Sequence, residues 1–160
     1  MKALTILLAI LGLSGTAQAD RMPSANTYLP AYKSECGSCH VAYPPSLLSA
    51  QDWRTVMSSL DKHYGDNASL DEKTRQAIES FLADQSGSRR TVSGTRGNEL
   101  PRITTSTWFV RKHHEVPRAD WHHAKVKTPA NCSACHTRAA EGSYREREIV
   151  MPNGGRWEDD

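Results

Sequence analysis

Only two phenylalanines occur in 160 residues, and apolar side chains make up 38% of the chain. A core built from that stock is thin for the length, and a small domain with a thin core needs a staple such as a disulfide, a metal or a bound group. After the first twenty residues, no apolar run reaches the ~20 residues that a membrane helix requires. Neither sign of charge dominates, since 20 lysines and arginines face 18 acidic residues. That balance leaves no electrostatic footprint for nucleic acid or for a strongly anionic surface. The chain also has no Ser-His-Asp arrangement, phosphate loop or paired-acid motif, so hydrolytic and phosphoryl-transfer chemistry has no support.

The long apolar stretch lies at the start, MKALTILLAILGLSGTAQAD. Lys2 is a short positive region, Ala3 to Leu13 are apolar, and Ala17-Gln18-Ala19 is a small-x-small cleavage site. Residues 1–19 therefore read as a secretory signal peptide cleaved before Asp20, and a periplasmic chain is expected. Cleavage leaves 141 residues, and losing Lys2 lowers the formal charge from +2 to +1.

Cysteine is scarce as well, and its placement is informative. All four cysteines fall in two Cys-x-x-Cys pairs, Cys36/Cys39 and Cys132/Cys135. A disulfide within either pair would close a tiny loop and stabilise little. A shared zinc site built from all four is the second structural reading of this spacing. Neither accounts for His40 and His136, which follow the pairs directly. With 7 histidines in 160 residues, chance would place one after both pairs about once in 500 sequences, so Cys-x-x-Cys-His points to c-type haem attachment. The two thiols reach the two vinyl groups of a haem as thioethers, and the adjacent imidazole faces the iron. Two haems also supply the apolar surface that the chain lacks.

Each haem needs a sixth ligand or an open position, a choice that separates electron carriers from ligand binders and catalysts. The candidates are His63, His113, His114, His122, His123, Met22, Met57 and Met151. In SLLSAQDWRTVMSSLDKHY, residues Trp53, Val56, Met57, Leu60 and Tyr64 recur at helical spacing, with Ser49 and Asp52 as a capped start and Gly65 as a stop. His63 points from the end of that apolar stripe and is the preferred ligand in the first half, while Met57 reads as packing material. A second helix is expected from Leu70 to about Asp84, with Ser69 and Glu72 as a capping box and Leu70, Ala77, Ile78, Phe81 and Leu82 as its apolar face.

These elements make residues 20–84 a first haem unit. Residues 85–98, QSGSRRTVSGTRGN, follow as a linker or surface loop whose Arg89, Arg90 and Arg96 read as solvated. Residues 99–160 form a second unit. There His113 lies four residues after Phe109, on the same face if the stretch is helical. The order of preference for its sixth ligand is His113, then His123 or His122, then Met151, whose segment VMPNGGRWEDD reads as a frayed, flexible tail.

Four stretches, "ECGSCHVAYPPSLL", "LDKHYGDNASLD", "WFVRKHHE" and "ANCSACH", resemble in order and separation the bacterial dihaem cytochrome c family of small exported electron carriers. The resemblance runs from about Tyr28 to Tyr144. It implies a mainly α protein with two small haem-binding units, the N-terminal one cytochrome c-like and the C-terminal one less regular. It further implies two covalently attached haem c groups with bis-histidine ligation. Carried over by motif, Cys36, Cys39, His40 and His63 serve the first haem, and Cys132, Cys135, His136 and His113 the second. Ligation crossed between the halves stays open, as does a neighbour in place of His113. Some members are thought to accept electrons from a membrane b-type cytochrome and to donate them to a high-spin monohaem cytochrome. The expected function is thus outer-sphere electron transfer at low potential rather than enzymatic turnover. The alternatives are a ligand-binding protein or peroxidase-like enzyme with one open haem, and a haem-free thiol oxidoreductase or zinc protein.

Overall fold

The computed structural model describes Met22, residues 24–87 and residues 99–157. The signal peptide expected at 1–19 and most of the linker expected at 85–98, including Arg89, Arg90 and Arg96, lie outside the described residues. The described residues form five α-helices, with short 3₁₀ turns before, between and after them: α1 (Pro30–Cys36), α2 (Ala50–Met57), α3 (Glu72–Asp84), α4 (Thr107–Lys112) and α5 (Arg118–Trp121). No strand forms among them, only the isolated bridges His63↔Asp66, His136↔Ile149 and Val150↔Arg156. The mainly α expectation is met.

Helix α1 went unread in the sequence. Pro30 stands at its first turn, where a preset φ and a missing N–H cost nothing. Tyr32 and Cys36 lie four residues apart on one face of the helix, and Tyr28 stands just ahead of it. Helix α2 begins as expected, with Ser49 Oγ accepting from Asp52 N at 3.1 Å and Asp52 Oδ2 accepting from Ser49 N at 3.3 Å. It stops sooner than expected, however, at Met57 rather than near Gly65. Ser58 and Ser59 compete locally for backbone hydrogen bonds and are poor helix interior residues. The chain then tightens into a 3₁₀ turn, Leu60–Lys62.

Helix α3 starts two residues later than predicted. Asp71, not Ser69, is its cap, accepting from Thr74 N at 3.0 Å. Ser69 N donates instead to Asn67 Oδ1. Ala77, expected on the apolar face, is exposed, while Ile78 and Leu82 are buried as expected.

Helices α1, α2 and α3 close on one cluster containing Tyr28, Tyr32, Leu48, Trp53, Met57, Leu60, Ile78 and Leu82. Met57 is thus core material, as its position in the apolar stripe suggested. After Pro101 the elements shorten, and the buried apolar residues are Phe109, Val126, Ala139 and Met151. Where a frayed tail was expected, Val150 pairs with Arg156 and Met151 N donates to Gly155 O at 2.7 Å, which buries Met151. Residues 158–160 lie outside the described residues.

Candidate functional site

The first Cys-x-x-Cys-His motif begins on the last residue of α1, so the helix fixes where Cys36 sits. Gly37 follows in close contact with the helix: a Cβ there would stand 2.2 Å from Lys33 O. The chain then turns to His40, whose Nδ1 lies 2.8 Å from Val41 O and whose ring stacks on Tyr43 at 4.6 Å. A carbonyl only accepts, so Nδ1 carries the proton and Nε2 keeps its lone pair for a metal.

His63 is delivered by the 3₁₀ turn that ends α2. It opens a tight reversal in which Asp66 N donates to His63 O at 3.0 Å. Tyr64 and Gly65 both take positive φ, 51° and 111°, the geometry of a type I′ turn. That conformation is strained for tyrosine, and it is held by contacts: Tyr64 Oη donates to Pro101 O, and Arg102 lies 4.6 Å over its ring.

In the second half, Cys132–Ala134 form a 3₁₀ turn, and His136 N donates back to Cys132 O at 2.8 Å. The bridge to Ile149 holds His136 from the other side. His113 ends α4, which is capped by Ser106 Oγ accepting from Phe109 N. Its Nδ1 lies 2.9 Å from Phe109 O, and its ring stacks on Phe109 at 4.0 Å. The same carbonyl logic leaves Nε2 of His113 free.

The fold pairs these four histidines. His40 and His63 have ring centroids 6.3 Å apart, and His113 and His136 lie 6.2 Å apart. A metal held between two imidazoles needs a bond of about 2 Å and about 1.1 Å from nitrogen to ring centre on each side, so both pairs stand at the right span for one ion. In His63 and His136 the buried Nδ1 has no protein partner, so neither ring has its tautomer set by a carbonyl as those of His40 and His113 are. Burial holds His63 and His113 below the ordinary imidazole value, and burial together with His113 pushes His136 down to about 4. At neutral pH these rings are neutral, the form that binds metals.

The other candidates are not brought together in this way. His114 is exposed and turns Nδ1 to Arg111 O. His122 is exposed, and His123 Nδ1 accepts from Lys125 N. No group of three or more His, Cys, Asp or Glu residues that could hold a metal forms among the described residues, so the shared four-cysteine zinc site is not assembled. Burial pushes the Cys36 and Cys132 thiols up to about 11 and raises Cys135 as well. A thiol oxidoreductase requires the opposite shift.

A single cavity of about 1830 Å³ joins both histidine pairs and both cysteine pairs. A usual small-molecule pocket reaches about 1,000 Å³, so this space is sized for more than one such group. Sequence reasoning missed the tyrosines between the sites. Tyr43 stacks on His40, accepts at its carbonyl from Tyr32 Oη at 2.6 Å, and donates its own hydroxyl to Ala130 O at 2.8 Å, two residues before Cys132. Tyr144 lies 5.2 Å from the His136 ring. The available signal was an excess of tyrosine over phenylalanine, five against two, in a chain short of core.

The family model for dihaem cytochrome c matches residues 32–144. Among solved structures, the chain is similar to a dihaem cytochrome c from Shewanella baltica OS155, with 38% identity and a TM-score of 0.70 over 81% of this chain and 97% of that one. It is also similar to the dihaem cytochrome c of Rhodobacter sphaeroides, seen in two structures. Both are 39% identical, with TM-scores of 0.62 and 0.63 over 72% and 74% of this chain and 96% and 98% of those chains. A search of curated proteins found no match. Among the described residues, no helix is long and apolar enough to cross a membrane.

Proposed function

The chain belongs to the dihaem cytochrome c family, binds two haem c groups covalently and is a haem-based electron carrier; from that premise we propose that it works by outer-sphere transfer between two bis-histidine centres. Cys36 and Cys39 would hold one haem, with His40 and His63 ligating its iron. Cys132 and Cys135 would hold the other, with His136 and His113 as ligands. Each haem supplies an iron that cycles between ferric and ferrous. The single observation that carries this reading is the pairing itself: two imidazole pairs of equal span, each beside one attachment motif. The pairing also favours ligation within each half over crossed ligation.

The protein's part is to close both axial positions and to hold them. Val41 O and Phe109 O fix the tautomers of His40 and His113, so Nε2 is offered without rearrangement. Histidine in place of methionine as the sixth ligand favours the oxidised state, so both potentials should lie below zero. Tyr43 bridges from the His40 ring to the Ala130 carbonyl and provides a bonded route between the halves. Export to the periplasm completes the reading. So does exchange with redox partner proteins, with a membrane b-type cytochrome as donor and a high-spin monohaem cytochrome as acceptor.

The visible spectrum of the dithionite-reduced protein, before and after carbon monoxide, tests the proposal. An unchanged low-spin spectrum is expected. A shifted Soret band would reveal an open or weakly closed axial position and would move a ligand-binding or catalytic role to the front.

A further inference from the structure

The two histidine pairs share a span but not a twist. The His40 and His63 ring planes are 20° apart, whereas those of His113 and His136 are 80° apart. One member of each pair is clamped in the same manner, by a carbonyl on Nδ1 and an aromatic ring on its face. Tyr43 lies 17° from the His40 plane, and Phe109 lies 21° from the His113 plane. The other member of each pair is met edge-on or at a tilt, His63 by Tyr64 at 72° and His136 by Tyr144 at 54°. A carbonyl bond and a face-stacked ring thus restrain each clamped imidazole together.

We infer that Tyr43 and Phe109 are positioning residues that make two chemically identical ligand pairs electronically unlike, near-parallel in the N-terminal half and crossed in the C-terminal half. This inference rests on the bis-histidine reading above. An imidazole donates π density perpendicular to its ring plane, into one of two metal orbitals of π symmetry. Parallel rings load the same orbital and split the two in energy. Crossed rings load one orbital each and leave them nearly level. Orientation of a metal-bound histidine by its surroundings is a general lever on the metal's electronic state.

Low-temperature electron paramagnetic resonance of the fully oxidised holoprotein reads that splitting directly. We expect two low-spin ferric signals, one rhombic with three resolved features and one dominated by a single large low-field g value. Two signals of the same kind would overturn the inference while leaving bis-histidine ligation intact. A high-spin signal would show an unbound axial position, and the ligation reading would fall together with the inference. Phe109→Leu keeps the carbonyl and removes the ring, so the large low-field feature should move toward the rhombic pattern while the other signal stays. An unchanged low-field feature would remove Phe109 from the role. A purely structural role would lower the yield of protein without moving either g value. Should Phe109→Leu not accumulate, the wild-type spectrum decides the twist, and Tyr43→Leu, which should shift the rhombic signal alone, decides the positioning.

Discussion

The two halves of this protein reach the same histidine-to-histidine span from unequal scaffolds. In the N-terminal half, α1, α2 and α3 enclose a cluster in which Ile78 and Leu82 are almost fully removed from water, and His40 and His63 are mounted on its rim. In the C-terminal half, α4 and α5 span six and four residues, and the remaining elements are 3₁₀ turns. Helices that short do not hold together on their own in water. Yet the histidine pairs span 6.3 and 6.2 Å. A regular fold is therefore one way to set two histidines face to face; the other is a shell of short helices and turns.

That comparison breaks most visibly if attachment is removed from one half at a time. With Cys132→Ala and Cys135→Ala together, the C-terminal half should lose nearly all its amide exchange protection, while α2 and α3 stay protected. With Cys36→Ala and Cys39→Ala, a good part of the protection in α2 and α3 should survive the loss of haem. Equal collapse in both variants would show that the N-terminal cluster is no more self-sufficient than the turns.

Ile78→Ala comes next. Ile78 is fully buried, so truncation should cost about 2–5 kcal/mol. Denaturant unfolding followed at each half should show the loss in the N-terminal transition first. A third experiment changes the chemistry rather than the packing. His113→Met should raise the potential of the C-terminal site alone, by on the order of 0.1 V within the ~0.8 V range that axial ligands command. A redox titration in which neither wave moves would mean that His113 is not a ligand.

The smallest effect concerns acid. Asp71 is held below the usual carboxylate range by its hydrogen bonds from Thr74. Because the folded value is depressed, its contribution is present above the unfolded value of about 3.9 and fades as the pH falls through the folded one. Asp71→Asn still caps α3 but cannot titrate, so its thermal midpoint should decline less between pH 5 and pH 3 than that of the parent. Parallel declines would show that the cap is not where acid acts on this half.

How much of this was legible in the sequence follows the same divide. Cys36, Cys39, His40, Cys132, Cys135 and His136 announce themselves through spacing, because covalent attachment demands adjacent residues. His63 and His113 required a helix argument, and the structure pairs both despite errors in the helices. The apolar stripe after Ser49 promised one long helix, but Ser58 and Ser59 ended it, and the resulting turn is what brings His63 to His40. The Ser69–Glu72 pattern matched a capping box, and Asp71 won because a carboxylate one residue before the helix accepts from Thr74 directly. Tyr43 and Ala130 could not be paired by any local rule, since 87 residues separate them. Contacts of that range are tertiary, and periodicity carries no information about them.

The struts from Tyr43 to Ala130 and from Tyr64 to Pro101 have a consequence for loading. They hold the halves at a fixed separation, so charge stored in one is always felt in the other. Coulomb repulsion between two charges falls only as the inverse of distance and is weakly screened inside a protein. The first electron to arrive therefore makes the second harder to add. Even with sites of equal intrinsic affinity, the protein would fill in two steps, releasing its last-loaded charge most readily, like a two-cell store whose cells share a wall.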